Sequence, residues 1–305
     1  HPHQGNNMVF IRGTLNSIIE ENDIRSGDRN ICFQAGRIWS KKGVPEGMRN
    51  TSAPAYHTAM IGNRFTDNIA RRHNGAEIMI EGGETFWQGS ADAITEDRVT
   101  VREAPFNSDL VGHYVFVLNG PGIGQYRRIA DHDAETLRLE KPWRIVPGKD
   151  SRLVVGNFMT EFLWIDNTEE NIASWTGFWG NHLGHVISGL ISRNGAGPRI
   201  WPYSPTSVIA FIDFEHNWIT DRGQIMLLGR GATFGNTIFG NEIIDFRYGP
   251  NYHAATGWRH PRASEVMGSR AKMMNRAGIH LVMPEEPTGD LGEAVPGGDW
   301  NIIEA

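Results

Sequence analysis

Asn217 and Asn241 lie 24 residues apart, and each closes an apolar run with a turn before the apolar pattern resumes. The two stretches read Ile212-Asp213-Phe214-Glu215-His216-Asn217-Trp218-Ile219 and Asn236-Thr237-Ile238-Phe239-Gly240-Asn241-Glu242-Ile243. Val186-Ile187-Ser188-Gly189-Leu190-Ile191 fits the same frame one repeat earlier, and Trp164-Ile165-Asp166-Asn167 one before that. Further upstream it recurs around Asn22 and Asn63. A period in the twenties is the signature of a solenoid. Short apolar runs, Gly/Asn turns and the lack of any long 3.6-residue pattern make it a β-solenoid. Asn tolerates a left-handed backbone and bonds locally, so the spacing predicts Asn22, Asn63, Asn167, Asn217 and Asn241 at equivalent corners.

On these repeats, over about 17–83 and 160–250, the chain resembles right-handed parallel β-helix proteins of the pectin-lyase-like superfamily. The resemblance implies an all-β parallel solenoid. That superfamily holds lyases, glycoside hydrolases, epimerases, tailspikes and surface proteins without activity, so it does not choose a function.

Between Asn63 and Asn167 lie 104 residues, far more than one repeat. Tyr114–Leu118, Gly120-Pro121-Gly122-Ile123-Gly124 and the alternating Thr136–Leu139 read there as antiparallel strands joined by tight turns. The run Gly122-Ile123-Gly124-Gln125-Tyr126-Arg127-Arg128-Ile129, followed by Leu137, Leu139 and Pro142-Trp143, is similar to a small β-barrel insert of some bacterial and phage β-helix proteins. No βαβ context surrounds the glycines, which excludes a phosphate loop.

The expected organisation is therefore N-terminal coils over 1–88, an inserted module over 89–157, regular coils over 158–250, and an irregular tail over 251–305 with a short helix at 262–277. Deleting the module should leave the remainder folded. A coil-like run follows His1 almost at once, with no capping segment, so the chain reads as a processed or truncated piece of a longer polypeptide.

The net charge is −6 and no Lys/Arg run occurs, which argues against nucleic acid as a partner. No stretch approaches 18 apolar residues, so no membrane span is expected. The single cysteine, Cys32, sits between Ile31 and Phe33 and reads as a buried structural thiol. Pro2 removes the amide that an amino-terminal copper site would use beside His1 and His3.

Alternation turns Ile212 and Phe214 inward and puts Asp213 and Glu215 together on the outer face, with Cα atoms about 6.6 Å apart. Two carboxylates at that range can serve as an acid/base pair in glycoside hydrolysis or hold Ca²⁺ for a lyase. In Gly184-His185-Val186, His185 is a candidate proton donor, and His182 and His185 alone make no metal site. Narrow cores favour Ile, Val and Leu, so Trp179, Trp201 and Trp218, with Arg193 and Arg222, are candidates for stacking on and bonding to sugars.

Polygalacturonase-like motifs are incomplete: Asn107-Ser108-Asp109 and Arg270-Ala271-Lys272 occur, but no Asp-Asp and no Gly-His-Gly. Leu163-Trp164-Ile165-Asp166-Asn167 is similar to a pectate lyase run, while in Arg259-His260-Pro261 the second arginine of that motif is replaced by Ser264. Two functions follow. One is a secreted, cell-surface or periplasmic protein that binds and cleaves a polysaccharide. The other is a structural or adhesive β-helix module without chemistry. Homo-oligomers fit either.

Overall fold

The computed structural model describes residues 7–12, 15–25, 29–34, 36–37, 52–53, 56–66, 78–102, 106, 109–170, 176–193, 197–202, 206–220, 225–228, 231–244, 279–282 and 302–304. Among these the chain is all-β, with no helix.

Three parallel sheets carry the repeats. The chain visits them in constant order. In one circuit it passes Thr176–Gly180 in sheet 1, His182–Leu183 and Val186–Ser188 in sheet 2, and Ile191–Arg193 in sheet 3. The next circuit pairs with it strand for strand: Phe178 with Ile200, His182 with Ile209, Ile187 with Phe214, and Ser192 with Ile219. Alternation then does the rest, because every second side chain of each strand must point into the space the sheets enclose. Met60, Phe65, Trp164, Phe178, Ile187, Phe214, Ile219 and Ile238 fill it, each essentially without solvent contact.

The five asparagines form one column. Asn63 Oδ1 accepts from the Asn22 N–H at 3.1 Å, Asn167 Oδ1 from the Asn63 N–H at 3.0 Å, and Asn241 Oδ1 from the Asn217 N–H at 3.0 Å. Their Nδ2 groups reach back to the carbonyls of Ile19, Met60, Ile187 and Phe214. Leu190 stands at the same position in the remaining circuit and only lends its N–H, to Asn217 Oδ1 at 2.9 Å. The left-handed residue is not the asparagine but the one before it: Glu21, Gly62, Asp166, Gly189, His216 and Gly240 all have φ between 52° and 67°. Larger residues and glycines alternate there for a packing reason. A Cβ on Gly189 would lie 2.1 Å from Asp166 Oδ1, and one on Gly240 would lie 2.7 Å from His216 Nδ1, so each larger side chain folds over the glycine of the next circuit. Asn217→Ala should cost about 2–4 kcal/mol, since it orphans the buried Leu190 N–H and Ile187 C=O together; urea unfolding checks this.

A second left-handed column splits sheet 2: Asn16, His57, Glu161, Gly184, Phe211 and Gly235, with φ between 48° and 66°. It has no uniform residue type, which is why the repeat does not announce it.

Residues 85–156 leave the parallel stack as a seven-stranded antiparallel sheet with its own core of Val99, Val115, Ile129, Leu137, Trp143 and Leu153. Thr85–Ser90 already pairs with Arg152–Gly156, so residue 89 falls inside its first strand rather than before it. The strands Tyr56–Ile61, Arg64–Thr66 and Ile78–Gly82 before the insert pair with Leu163–Ile165, Thr168–Glu170 and Thr176–Gly180 after it. The insert also covers one face of the stack. Phe116, Leu118 and Val154 pack with Phe158, Leu183, Val208, Ala210, Ala232 and Phe234, on the outer side of the first column of sheet 2.

The stretch read as an irregular tail adds strands to the stack. Ile279–Val282 pairs in parallel with Ile225–Leu228, and Ile302–Glu304 with Thr237–Phe239. The helix expected at 262–277 and the side chain of Cys32 lie outside the described residues.

Candidate functional site

The outer face of the second column of sheet 2 has two rows. One runs Ile18, Ala59, Leu163, Val186, Asp213, Thr237; the other runs Glu20, Ile61, Ile165, Ser188, Glu215, Phe239. The first row is apolar and open in its early part, with Ile18 65% and Leu163 42% exposed, and reaches a carboxylate at Asp213; the second carries carboxylates at Glu20 and Glu215.

Asp213 and Glu215 stand side by side there, with Ile212 and Phe214 buried beneath. Partial burial pushes the Asp213 carboxyl above its usual range; a hydrogen bond with Thr237 opposes this, and the charge of Glu215 adds to it. Asp213 is thus biased towards its protonated form. Among the described residues no third His, Cys, Asp or Glu joins them in a group that could hold a metal ion.

One corner further, on the outer face of sheet 3, the Arg193 guanidinium lies 5.3 Å from the centroid of the Trp218 ring. Trp218 follows Glu215 by a single turn, so the carboxylates and this cation–aromatic pair flank the His216–Asn217 corner. Trp179 lies elsewhere. It belongs to sheet 1, in register with Trp201, and the column covered by the insert separates it from Asp213. The side chain of Trp201 and all of Arg222 lie outside the described residues.

His185 is not on the surface. It and His182 are fully buried. His185 Nδ1 accepts the Phe162 N–H at 3.1 Å, so its proton sits on Nε2 and points at His182 Nδ1, 3.0 Å away. The ring thus plays the part that Asn236 plays two circuits on, where Oδ1 accepts the Ile212 N–H at 2.9 Å. Packed against Phe162 and Phe178, it cannot meet a polymer outside, which corrects its reading as a proton donor. Sequence shows a histidine before a strand; only the left-handed Gly184 shows that its side chain turns inward.

Burial holds three histidines neutral. It pushes His182 down to about 4, the Trp179 backbone hydrogen bond opposing, and His185 well below its ordinary value. His113 in the insert is also held at about 4, chiefly by burial. A base whose folded pKa is depressed takes up its proton more readily in the unfolded chain. Stability is therefore full above about pH 6.5 and falls as pH drops towards 4, by up to about 1.4 kcal/mol per pH unit for each histidine. Urea midpoints at pH 7.5, 6 and 5 should decrease in that order. Equal midpoints would show that the folded core accepts the protons.

Sequence reasoning missed one cluster. At the second left-handed column His57 Nε2 forms an ion pair with Glu161, and His57 Nδ1 lies 3.1 Å from Asn16 Oδ1. The insert sets Tyr114 and Tyr126 beside it: the Tyr114 hydroxyl hydrogen-bonds Thr160, and the Tyr126 ring lies 6.0 Å from Phe211. Asn16 and His57 are 41 residues apart in sequence, and the tyrosines come from the insert, so no local motif could have joined them.

No family model matches this chain, and no curated protein is similar to it. Several solved structures are similar at low level, among them three phage tailspikes. The tailspike gp61 of Pseudomonas phage phi297 is 11% identical, over 61% of this chain and 43% of that one, with a TM-score of 0.27. The tailspike gp49 from Pseudomonas phage LKA1 is 9% identical, over 77% and 37%, with a TM-score of 0.26. The Gp54 tailspike of Acinetobacter baumannii bacteriophage AP22, solved in complex with an A. baumannii capsular saccharide, is 11% identical, over 77% and 41%, with a TM-score of 0.23. The chain spans between 37% and 43% of the length of these proteins. At these scores the likeness carries no argument about the site. No helix among the described residues is long and apolar enough to cross a membrane.

Proposed function

We propose that this chain is a right-handed parallel β-helix module that binds and cleaves a polysaccharide outside the cytoplasm. The observation that carries the reading is the Asp213–Glu215 pair, half-buried side by side on one strand, with an apolar row running on from it and the Arg193–Trp218 stack beside it. A flat face with apolar rows and a few fixed polar groups suits a polymer whose sugars present apolar ring faces and polar edges. Asp213, whose carboxyl is raised, is the group to protonate the bridging oxygen as the glycosidic bond breaks. Glu215 is the group to take a proton from the water that adds to the sugar carbon as that bond breaks, which balances the proton given by Asp213.

A panel of polysaccharides, followed by new reducing ends and by the absorbance of unsaturated products, tests the reading and separates hydrolysis from elimination. Asp213→Asn and Glu215→Gln should each lower turnover at least about 100-fold, with melting temperatures little changed. Full activity in both variants would place the chemistry elsewhere on the molecule.

The second reading is an adhesive or structural module without chemistry. The exposed apolar half of the same face, Ile18 and Leu163 above all, favours it. Binding with no product on any polymer in the panel would select it.

A further inference from the structure

The cluster at the rim of the insert takes no part in the reading above, and its parts come from three places in the chain. Asn16, His57 and Glu161 occupy neighbouring circuits of one column, and Tyr114 and Tyr126 come from the antiparallel unit. We propose that Glu161, held by His57 and Asn16 and flanked by Tyr126 and Tyr114, is a second saccharide-binding site, for sugars that offer hydroxyl or ammonium donors rather than carboxylates.

Three observations support it. First, the polar groups form a directed line. With Asn16 Oδ1 accepting from His57 Nδ1–H, His57 Nε2 faces the Glu161 carboxylate, which fixes a side chain that would otherwise swing free, while the Glu161 side chain stays 58% exposed. Second, the line ends at an aromatic wall. Tyr126 is half-buried, its ring stacked at 3° on Phe116, tilted against Phe211 and 6.0 Å from the ring of Tyr114, whose hydroxyl bonds Thr160, the residue before Glu161. Burial raises both phenols and the charge of Glu161 adds to it, opposed at Tyr114 by the Thr160 hydrogen bond and Arg128. Third, the backbone is committed to this arrangement. His57 and Glu161 both adopt the left-handed region, with φ of 52° and 57°, where glycine is the easy choice and Gly184 and Gly235 are used further along the same column. Non-glycine residues persist in this sparsely populated region only where their surroundings hold them there.

The chemistry of the site selects its ligand. A carboxylate accepts hydrogen bonds, and phenol hydroxyls donate and accept, so together they match vicinal hydroxyls or an amino group. A uronate brought to Glu161 meets a like charge instead, and the facing His57 imidazole is already engaged with Glu161. The choice of sugar ligand rests on the polysaccharide reading of the preceding section; the site itself does not use Asp213 or Glu215.

The test uses the full chain with ¹³C-labelled histidine and three probes: a chitosan hexamer, a dextran oligomer and an oligogalacturonate hexamer. The His57 ring signal, assigned with His57→Gln, should shift with the first or second probe and not with the third. Glu161→Gln should weaken that binding at least tenfold and Tyr126→Phe at least threefold, with unfolding midpoints unchanged. Binding of chitosan or dextran that leaves the His57 signal still and is indifferent to Glu161→Gln overturns this site while leaving the polysaccharide reading intact. Binding of the oligogalacturonate alone overturns the ligand class. No binding by any probe, together with no binding or product on the wider polysaccharide panel, overturns both.

Discussion

Deleting residues 85–156 and joining Glu84 to Asn157 will leave an insoluble or molten chain instead of a folded stack. Sequence periodicity alone suggests the opposite, because the strands on either side of the insert pair directly with one another. The packing overrides that expectation. Phe116 sits 5.6 Å from Phe234 and 6.3 Å from Phe158, ring to ring, and Leu118 and Val154 complete the cover over Leu183, Val208 and Ala210. Each large apolar side chain uncovered loses about 1.5–3 kcal/mol. Phe158, Leu183, Val208 and Phe234 together would thus use up most of a typical margin of about 5–15 kcal/mol. The deletion also removes Thr85, whose hydroxyl bonds the Thr206 carbonyl at 2.6 Å and receives the Asn181 amide at 3.2 Å. Circular dichroism and gel filtration of the deletion decide the matter. A soluble monomer with a full β signal and a cooperative transition would mean that the insert is an ornament.

Gly180→Ala will be the most damaging single substitution in the stack, costing more than about 4 kcal/mol or preventing soluble expression. Gly180 stands where sheet 1 turns into sheet 2, with φ of 112°, a region closed to side chains. A Cβ there would lie 1.8 Å from the Gly82 carbonyl oxygen and 2.7 Å from its carbon. Both are backbone atoms of the paired strand, in register with Gly180 and fixed by the Asn181 N–H, which donates to that same oxygen at 3.0 Å. Nothing can swing aside. At Gly189 the atom in the way is the far end of an aspartate side chain, and Gly189→Ala should cost only about 1–2 kcal/mol. Urea midpoints of the two variants, measured side by side, test the contrast. Similar midpoints would mean that the turn between sheets 1 and 2 can open.

The asparagine column and the inward alternation of Ile212 and Phe214 are legible because both are local: the spacing recurs, and one amide per circuit can bond only to the circuits above and below. The same logic places Asp213 and Glu215 on the outer face. It does not reach the residue before each asparagine, whose left-handed backbone is shared by Glu, Asp, His and Gly, since what unites these is a backbone angle and a folded-over neighbour, not a side-chain type. Nor does it reach the tail, where short strands lie far along the chain from the sheets they extend.

By itself, then, the sequence determined the repeat, the all-β character, the presence of an antiparallel interruption and which carboxylates face outward, because each follows from period-two alternation and turn chemistry within a few residues. Only the tertiary structure decided that His185 is an interior acceptor, that Trp179 lies on another sheet from Asp213, that the insert shields one face, and that Asn16, His57 and Glu161 meet. These depend on which circuit stacks on which and on where an insert's far side comes to rest. Outside the repeated asparagines, contacts such as Asn16 with His57, 41 positions apart, leave no trace in any local pattern.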